Sequence, residues 1–299
     1  MGDRDMSRQL TSGVLGRKKT LTNEYLKRVY SEPYSVIGAG VLNWDANGNP
    51  PIDLFDSNGK INANNYNFEI AKEFVINKYD ELIETFDDIV VGWDHQMGIK
   101  LHQVSGNYFV SKIFDIKNQY GDLTPALSNP SVIYKQNFIS SEAHTDGAIN
   151  SLNDKILKSN NAKLLPNKNF QWRFKISGLI NDFAQFFSFG GVGGEEGTSL
   201  HKTNNTRMIL YISDGVTSTI SQSNSSFWST SLNDMINYKV KVNYINENVV
   251  IEKNNNPFQT ITLPASRFEN SDVFTLNSRV TTDVNVPLCR YYNYYVTYI

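Results

Sequence analysis

The stretch FQWRFKISGLINDFAQFFSFGG, residues 170–191, contains two short runs rich in large apolar side chains. In residues 170–176 the even positions are Phe, Trp, Phe and Ile, and the odd positions are Gln, Arg and Lys. A period of two is typical of a strand with one face on a core and the other in water. Ser177-Gly178 and Asn181-Asp182 are turn signals, and Gly190-Gly191 ends the second run. The stretch therefore predicts two strands joined by a turn.

The same pattern of short strands and turns continues through the second half of the chain. Alternating runs occur in SVIYKQNF, TRMILYISDG and RYYNYYVTYI. The segment YKVKVNYINENVVIEKN predicts a hairpin with its turn at Asn246, Glu247 and Asn248. Regularly spaced strands separated by turn signals are typical of all-β domains. We therefore expect a mainly β protein in which residues 131–299 form a β-sandwich.

The first half predicts a small α+β domain preceded by a polar arm. Residues 1–19 are polar and basic, and we expect a flexible or docking arm there. A short helix is predicted from Leu21 to Tyr30 with Thr22 as its cap. A longer helix is predicted from Phe68 to Phe86, capped by Asn67 and amphipathic along its length. The loop at residues 118–130 is rich in Gly, Pro, Asn and Ser, so we place the domain boundary there, giving domains at residues 20–130 and 131–299.

Two short motifs suggest a metal, but neither has the spacing of a known site. Asp45, Asn47 and Asn49 alternate as in a calcium loop, but Pro50 stands where that loop requires glycine, so a turn is predicted. His95 and His102 would face opposite sides of a strand, so we interpret them as ordinary sheet residues. No metal site is therefore predicted.

Composition excludes several classes of partner. The net charge is −2, which gives no reason to expect a nucleic acid or an anionic membrane surface. No stretch is apolar for long enough to cross a bilayer, and residues 1–10 lack the apolar segment of a secretion signal. Cys289 is the single cysteine, so no disulfide can form within the chain, and we expect a buried, inert thiol.

The order of elements in residues 131–299 resembles the concanavalin A-like or laminin G-like jelly roll. The features that carry this resemblance are VIYKQNF as an opening strand, the pair FQWRFKISG and FAQFFSFGG, the run RMILYISDG, the hairpin NYKVKVNYINENVVIEKNNNPFQ, and VFTLNS before YYNYYVTYI. The resemblance implies sugar binding, glycan cleavage or structural packing, because the fold serves all three. Cleavage would require two facing carboxylates, and no such pair occurs two residues apart in an apolar strand. We therefore expect no enzyme activity and keep a glycan-degrading enzyme as the third alternative.

A glycan site is predicted in two polar loops, residues 190–207 and 221–234. Sugar sites combine an aromatic face with amides and carboxylates on loops at a sandwich edge. The candidate residues are Glu195, Glu196, His201, Asn204, Asn205, Arg207, Asn224, Trp228 and Asp234. Trp228 is the predicted stacking residue, with a packing role as the alternative. No cofactor is expected, although the oxygens of these loops could hold calcium if they converged.

The layout of the whole chain resembles a structural protein of a tailed bacteriophage, such as a tail fibre, head fibre or capsid decoration protein. The resemblance implies that residues 1–130 dock on other virion proteins and that residues 131–299 face host-surface or environmental glycans. Many copies on one particle would strengthen a weak sugar site, so a homo-oligomer is expected. It also implies assembly in the host cytoplasm and residence in the virion. A purely structural packing protein without a ligand is the first alternative.

Overall fold

A computed structural model describes most of the chain. The described residues are 3–118, 121–125, 132–140, 157–159, 164, 168–178, 185–190, 196–203, 206–214, 216–231, 233–263, 274–276 and 289–299. They include the α-helices α1 (Asp3–Tyr30) and α2 (Phe68–Leu82) and short 3₁₀ turns at Gly38–Gly40 and Phe86–Asp88. None of the helices in these residues is both long enough and apolar enough to span a bilayer.

Antiparallel strands dominate the described residues. In chain order they are β1 (Ser35–Val36), β2 (Ile89–Asp94), β3 (Ile99–Val104), β4 (Asn107–Ile113), β5 (Thr124–Pro125), β6 (Ile133–Tyr134), β7 (Ile139–Ser140), β8 (Leu157–Ser159), β9 (Phe170–Ser177), β10 (Gln185–Gly190), β11 (Glu196–Lys202), β12 (Met208–Asp214), β13 (Ser218–Gln222), β14 (Ile236–Asn243), β15 (Asn248–Lys253), β16 (Asn256–Thr262), β17 (Phe274–Leu276) and β18 (Arg290–Tyr298).

These strands form two sheets within the described part of the chain. The larger sheet has the order β1-β3-β4-β6-β7-β18-β9-β14-β15-β16, and β2 also pairs with β18. The smaller sheet has the order β13-β12-β11-β10-β17-β8-β5. The predicted mainly β fold with antiparallel sheets is therefore confirmed.

Aromatic side chains fill the space between the two sheets. Phe174 of β9 packs on Phe187 of β10 with ring centroids 4.8 Å apart. Tyr294 of β18 approaches the same Phe187 ring at 4.3 Å. Phe170, Trp172 and the other even-numbered residues of β9 are buried, as the period of two predicts. The opposite face of β9 carries Gln171 and the half-buried Arg173 and Lys175.

Helix α2 matches its sequence signals. The Asn67 side chain accepts hydrogen bonds from the backbone N–H groups of Glu69 and Ile70, as a helix cap should. Ala71, Val75 and Tyr79 are buried at three- and four-residue spacing. The helix ends at Leu82, four residues before the predicted end.

Helix α1 runs unbroken from Asp3 to Tyr30, so the helix predicted from Leu21 begins earlier than expected and the arm predicted before residue 20 is helical from Asp3. Thr22 therefore lies inside the helix and is buried instead of capping it. Salt bridges from Arg17 to Asp87 and from Lys18 to Asp80 fasten the helix to the α2 region. The first turns lack an apolar stripe, but Leu, Arg and Lys are good helix formers, so helix propensity accounts for this region better than periodicity does.

The loop predicted as a domain boundary does not separate two sheets. Strand β4 pairs with β6, and β2 pairs with β18 along residues 89–94. The larger sheet therefore contains strands from both sides of residue 130, and their buried side chains belong to one core. The turn predicted at Asp45 is confirmed, since its carboxylate accepts from the backbone N–H groups of Asn47 and Asn49.

Candidate functional site

The two loops predicted to bind a glycan are in contact with each other. The backbone N–H of Ser226 donates to the Thr206 hydroxyl at 2.9 Å, and that of Trp228 donates to the Thr206 carbonyl at 2.9 Å. The indole N–H of Trp228 donates to the His201 carbonyl at 3.2 Å. Two of these bonds hold the backbone and the indole of Trp228, and the third joins the two loops beside it.

The assignment of Trp228 as a stacking residue is corrected by its burial. Only 2% of its surface is exposed, and its ring lies 4.6 Å from Phe227 and 5.2 Å from Tyr238. A sugar needs an exposed aromatic face, and this ring is almost completely buried among other aromatic rings. Trp228 is therefore a packing residue that anchors its loop, as the alternative interpretation predicted.

The other predicted site residues bond mainly within or between their own loops. His201 is half-buried, and its ring nitrogen Nε2 lies 2.5 Å from the Ser199 hydroxyl. Arg207 is half-buried, whereas Asn224 and Asp234 are exposed. The backbone of Asn224 donates to Gln259, and Asp234 accepts from Ser229. Glu195, Asn204 and Asn205 lie outside the described residues, and for Glu196 only the backbone, at the start of β11, is described.

An aromatic side chain is presented instead on the outer face of the larger sheet, at a bulge in β18. Tyr291 pairs with Ile176 of β9, and Asn293 pairs with Lys175, so Tyr292 is the extra residue between them. A bulge inserts one residue and turns its side chain away from the regular alternation. The half-buried Tyr292 consequently has its hydroxyl 3.2 Å from the Ser177 hydroxyl, on the face opposite the core.

Tyr292 lines an open cavity of about 600 Å³. Phe138 adds a second half-buried ring, 6.1 Å from Tyr292 in an edge-to-face arrangement. Asn137, Asn233 and Asn293 contribute amide groups to the wall. The cavity therefore combines aromatic surface with hydrogen-bond donors and acceptors.

Three basic side chains also line this cavity. The Lys175 ammonium lies 5.5 Å from the centre of the Tyr292 ring, and the Arg290 guanidinium lies 4.6 Å from the centre of the Phe138 ring. Lys78 reaches the cavity from α2 and lies 3.7 Å from Asp94. Asp94 is 4% exposed and is the single carboxylate among the described lining residues. Positive charge therefore exceeds negative charge on the wall.

A hydrogen bond between His95 and the backbone of Tyr292 supports the bulge. Its ring nitrogen Nδ1 lies 2.8 Å from the carbonyl oxygen of Tyr292. A carbonyl can only accept, so Nδ1 carries the proton and donates. Burial lowers the pKa of His95 below its usual 6.5, although Asp94 opposes the shift, so the ring is neutral at pH 7.

The sequence pattern that marks this site lies in RYYNYYVTYI. The tyrosines occur as adjacent pairs at 291–292 and 294–295. No regular alternation therefore places the tyrosines on one face of the strand and the other residues on the opposite face. That break in the alternation is the signal of a bulge, which the interpretation as a simple closing strand missed. No group of three or more His, Cys, Asp or Glu side chains suited to a metal ion occurs in the described residues.

Several solved structures align with part of this chain. The binding domain of botulinum neurotoxin serotype G aligns with 70% of this chain at 11% identity and a TM-score of 0.47. The serotype D ligand-binding domain in complex with N-acetylneuraminic acid aligns with 73% at 11% identity and a TM-score of 0.45. A CBM40 domain of a Ruminococcus gnavus IT-sialidase, bound to α2,3-sialyllactose, aligns with 44% at 13% identity and a TM-score of 0.37.

These alignments have TM-scores below 0.5 and assign neither residues nor a function. The chain spans about half the length of the toxin domains, 47% and 49%, and 75% of the CBM40 domain. No family model matches the sequence, and no curated protein matches it. The function proposed below therefore rests on the residues of the cavity around Tyr292.

Proposed function

We propose that this protein is a lectin-like module that binds a glycan in the cavity around Tyr292. The observation that carries the proposal is the β18 bulge, which presents an aromatic ring among amide and basic side chains on an open face. Bulges recur where a strand must re-aim one side chain at a ligand. The concanavalin-like jelly roll expected from the sequence would be the scaffold.

The chemistry of the wall suits a sugar ring. One face of a sugar is lined by C–H groups that pack on an aromatic ring, and its hydroxyls pair with groups that both donate and accept. Tyr292 and Phe138 supply the rings, while Asn137, Asn233 and Asn293 supply the amides. A volume of about 600 Å³ lies within the range of about 300–1,000 Å³ that is typical of small-ligand sites.

We propose binding without cleavage. Glycosidases act through a pair of carboxylates, one as acid and one as nucleophile or base. Among the described lining residues Asp94 is the single carboxylate, and it accepts from the backbone N–H of Gln96 while it pairs with Lys78. Incubation with a bound glycan should therefore release no reducing ends, and release that depends on Asp94 would contradict this proposal.

The test of binding compares two tyrosines of the same strand. The full chain and its Tyr292→Ala variant are titrated with a glycan panel by calorimetry, with Tyr298→Ala as the matched control. Tyr298 is also half-buried in β18 but is not part of the cavity wall. Losing a stacked ring should weaken binding at least about tenfold. Equal affinity in wild type and Tyr292→Ala, or no binding by the folded protein, would overturn the proposal.

The virion setting is a separate proposal that follows from the chain layout. Residues 1–130 would contact other virion proteins, and α1 exposes Val14 (45%) and Leu15 (60%) on its surface, as a helix that docks on a neighbour would. Immunolabelling of intact virus particles should then place the protein on the particle surface. The protein in purified particles should be an oligomer. Particles without label, or a monomer in purified particles, would contradict this setting and the expected self-association.

A further inference from the structure

We infer that the ligand is an anionic glycan, bearing carboxylate or sulfate groups, which extends from the Tyr292 cavity along a basic row on β9 and β14. This inference rests on the proposed function and specifies its ligand. The basic row consists of Arg173 and Lys175 on β9 and Lys239 and Lys241 on β14. It occupies the face of the larger sheet opposite the core.

Strand register places the four side chains of the basic row together. Lys175 pairs with Asn237 of β14 on one side and with Asn293 of β18 on the other. Arg173 stands directly opposite Lys239, and Lys241 follows two residues later. Residues two apart on a strand are separated by about 7 Å, and paired strands by about 4.8 Å. The basic row is therefore continuous with the cavity wall through Lys175.

The basic row is only partly neutralised. Glu252 of β15 bonds both Lys239, at 3.3 Å, and Lys241, at 2.5 Å. Arg173 and Lys175 form no ion pair with a carboxylate of the described residues. Like charges directly opposite each other on paired strands, such as Arg173 and Lys239, are destabilising. A bound anion would relieve the part of that repulsion that Glu252 does not neutralise.

Carboxylate and sulfate groups match the donors available here. Guanidinium groups bond planar or tetrahedral oxyanions through two parallel N–H donors, and ammonium groups add point charges. Lys175 supplies an ammonium group at the cavity, and Arg173 supplies a guanidinium group next along β9. Amides of Asn237 and Asn293 stand beside Lys175 for the uncharged hydroxyls. The shared property of the ligand is thus its negative charge, spaced along an oligosaccharide.

The experiment uses the full chain and three matched oligosaccharides: a polyuronate, its carboxyl-reduced neutral form, and a sulfated chain of similar length. Affinities are measured by calorimetry at low and at physiological ionic strength. We expect the anionic forms to bind at least about tenfold more tightly than the neutral form, with an advantage that shrinks in salt. A preference for carboxylate or for sulfate would identify the source, and either supports the inference.

Charge-removing variants locate the effect. Lys175→Gln and Arg173→Gln should each weaken binding of the anionic oligosaccharides about fivefold or more. The double variant should bind them no more tightly than it binds the neutral form. Lys72→Gln is the matched control, since Lys72 is an exposed lysine of α2 that is not part of the cavity wall. If neutral and anionic chains bind equally and only Tyr292→Ala weakens both, the inference fails and the proposed function stands. If no chain binds to the folded protein, both fail.

Discussion

Strand β9 presents two faces that share one backbone and differ in every side chain. Toward the smaller sheet it presents Phe170, Trp172, Phe174 and Ile176, all at most 3% exposed. On the other face it presents Gln171, Arg173 and Lys175, and the last two are half-buried without a carboxylate partner among the described residues. The first face packs in the core, and the second carries two positive charges. We expect substitutions on the first face to affect stability and substitutions of Arg173 and Lys175 to affect binding.

The largest expected effect comes from the inner face. Phe174→Ala removes a ring that packs on Phe187 and Tyr238, so we expect the free energy of unfolding to fall by about 3–5 kcal/mol. Urea denaturation measures this loss. The neighbouring Lys175→Ala is the control and should stay within about 0.5 kcal/mol of wild type. A similar loss from both substitutions would remove the distinction between the faces.

An intermediate effect is expected at the hydrogen bond that supports the outer face. His95→Ala leaves the partly buried Tyr292 carbonyl without its donor, which should cost about 1–2 kcal/mol of unfolding free energy. Glycan affinity should fall as well, because the bulge loses its support. His95→Gln keeps a side-chain donor and should recover part of both quantities. Recovery of stability without any recovery of affinity would show that His95 does not position Tyr292.

The smallest effect is expected at Glu252, the carboxylate of β15 that pairs with Lys239 and Lys241. The hydrogen bond from Lys241 lowers the pKa of Glu252 below its usual 4.5. The stabilisation is therefore complete above the unfolded value of 4.5 and is lost as the pH falls through the lower folded value. Glu252→Gln should remove up to about 1 kcal/mol at pH 7 and less in acid. Urea denaturation at pH 7 and at a pH below the folded pKa of Glu252 measures the two losses of unfolding free energy. An equal loss at the two pH values would contradict this prediction.

Local patterns predicted the inner face and α2 because burial there follows simple periods. The alternation at residues 170–176 identified β9 and its buried side chains, and Asn67 identified the start of α2. The part of α1 before Leu21 was missed because its first turns carry no apolar stripe. Hydrophobic periodicity gives no signal where a helix segment depends on helix propensity and ion pairs.

The site could be predicted only in part, because loop polarity does not reveal which aromatic ring is covered. Trp228 and Tyr292 both stand near polar residues in sequence, but Trp228 is enclosed by Phe227 and Tyr238. Tyr292 is displaced by a bulge that depends on its register against Ile176 and Lys175. Register is a property of two distant segments, so a single run of sequence signals it only weakly, through the broken alternation at residues 291–295.

Strand β18 has a consequence for how the chain reaches its folded form. It is hydrogen-bonded to β2 in the first third of the chain and to β9 in the middle. Neither strand can complete its pairing before residues 290–298 are present. A ribosome must synthesise those residues before the larger sheet can close, and β2 and β9 have unpaired edges until then. Pairings between such distant segments slow folding and expose the nascent chain to wrong partners. Fragments that end before residue 290 should therefore aggregate when expressed, even though they contain most of the core residues.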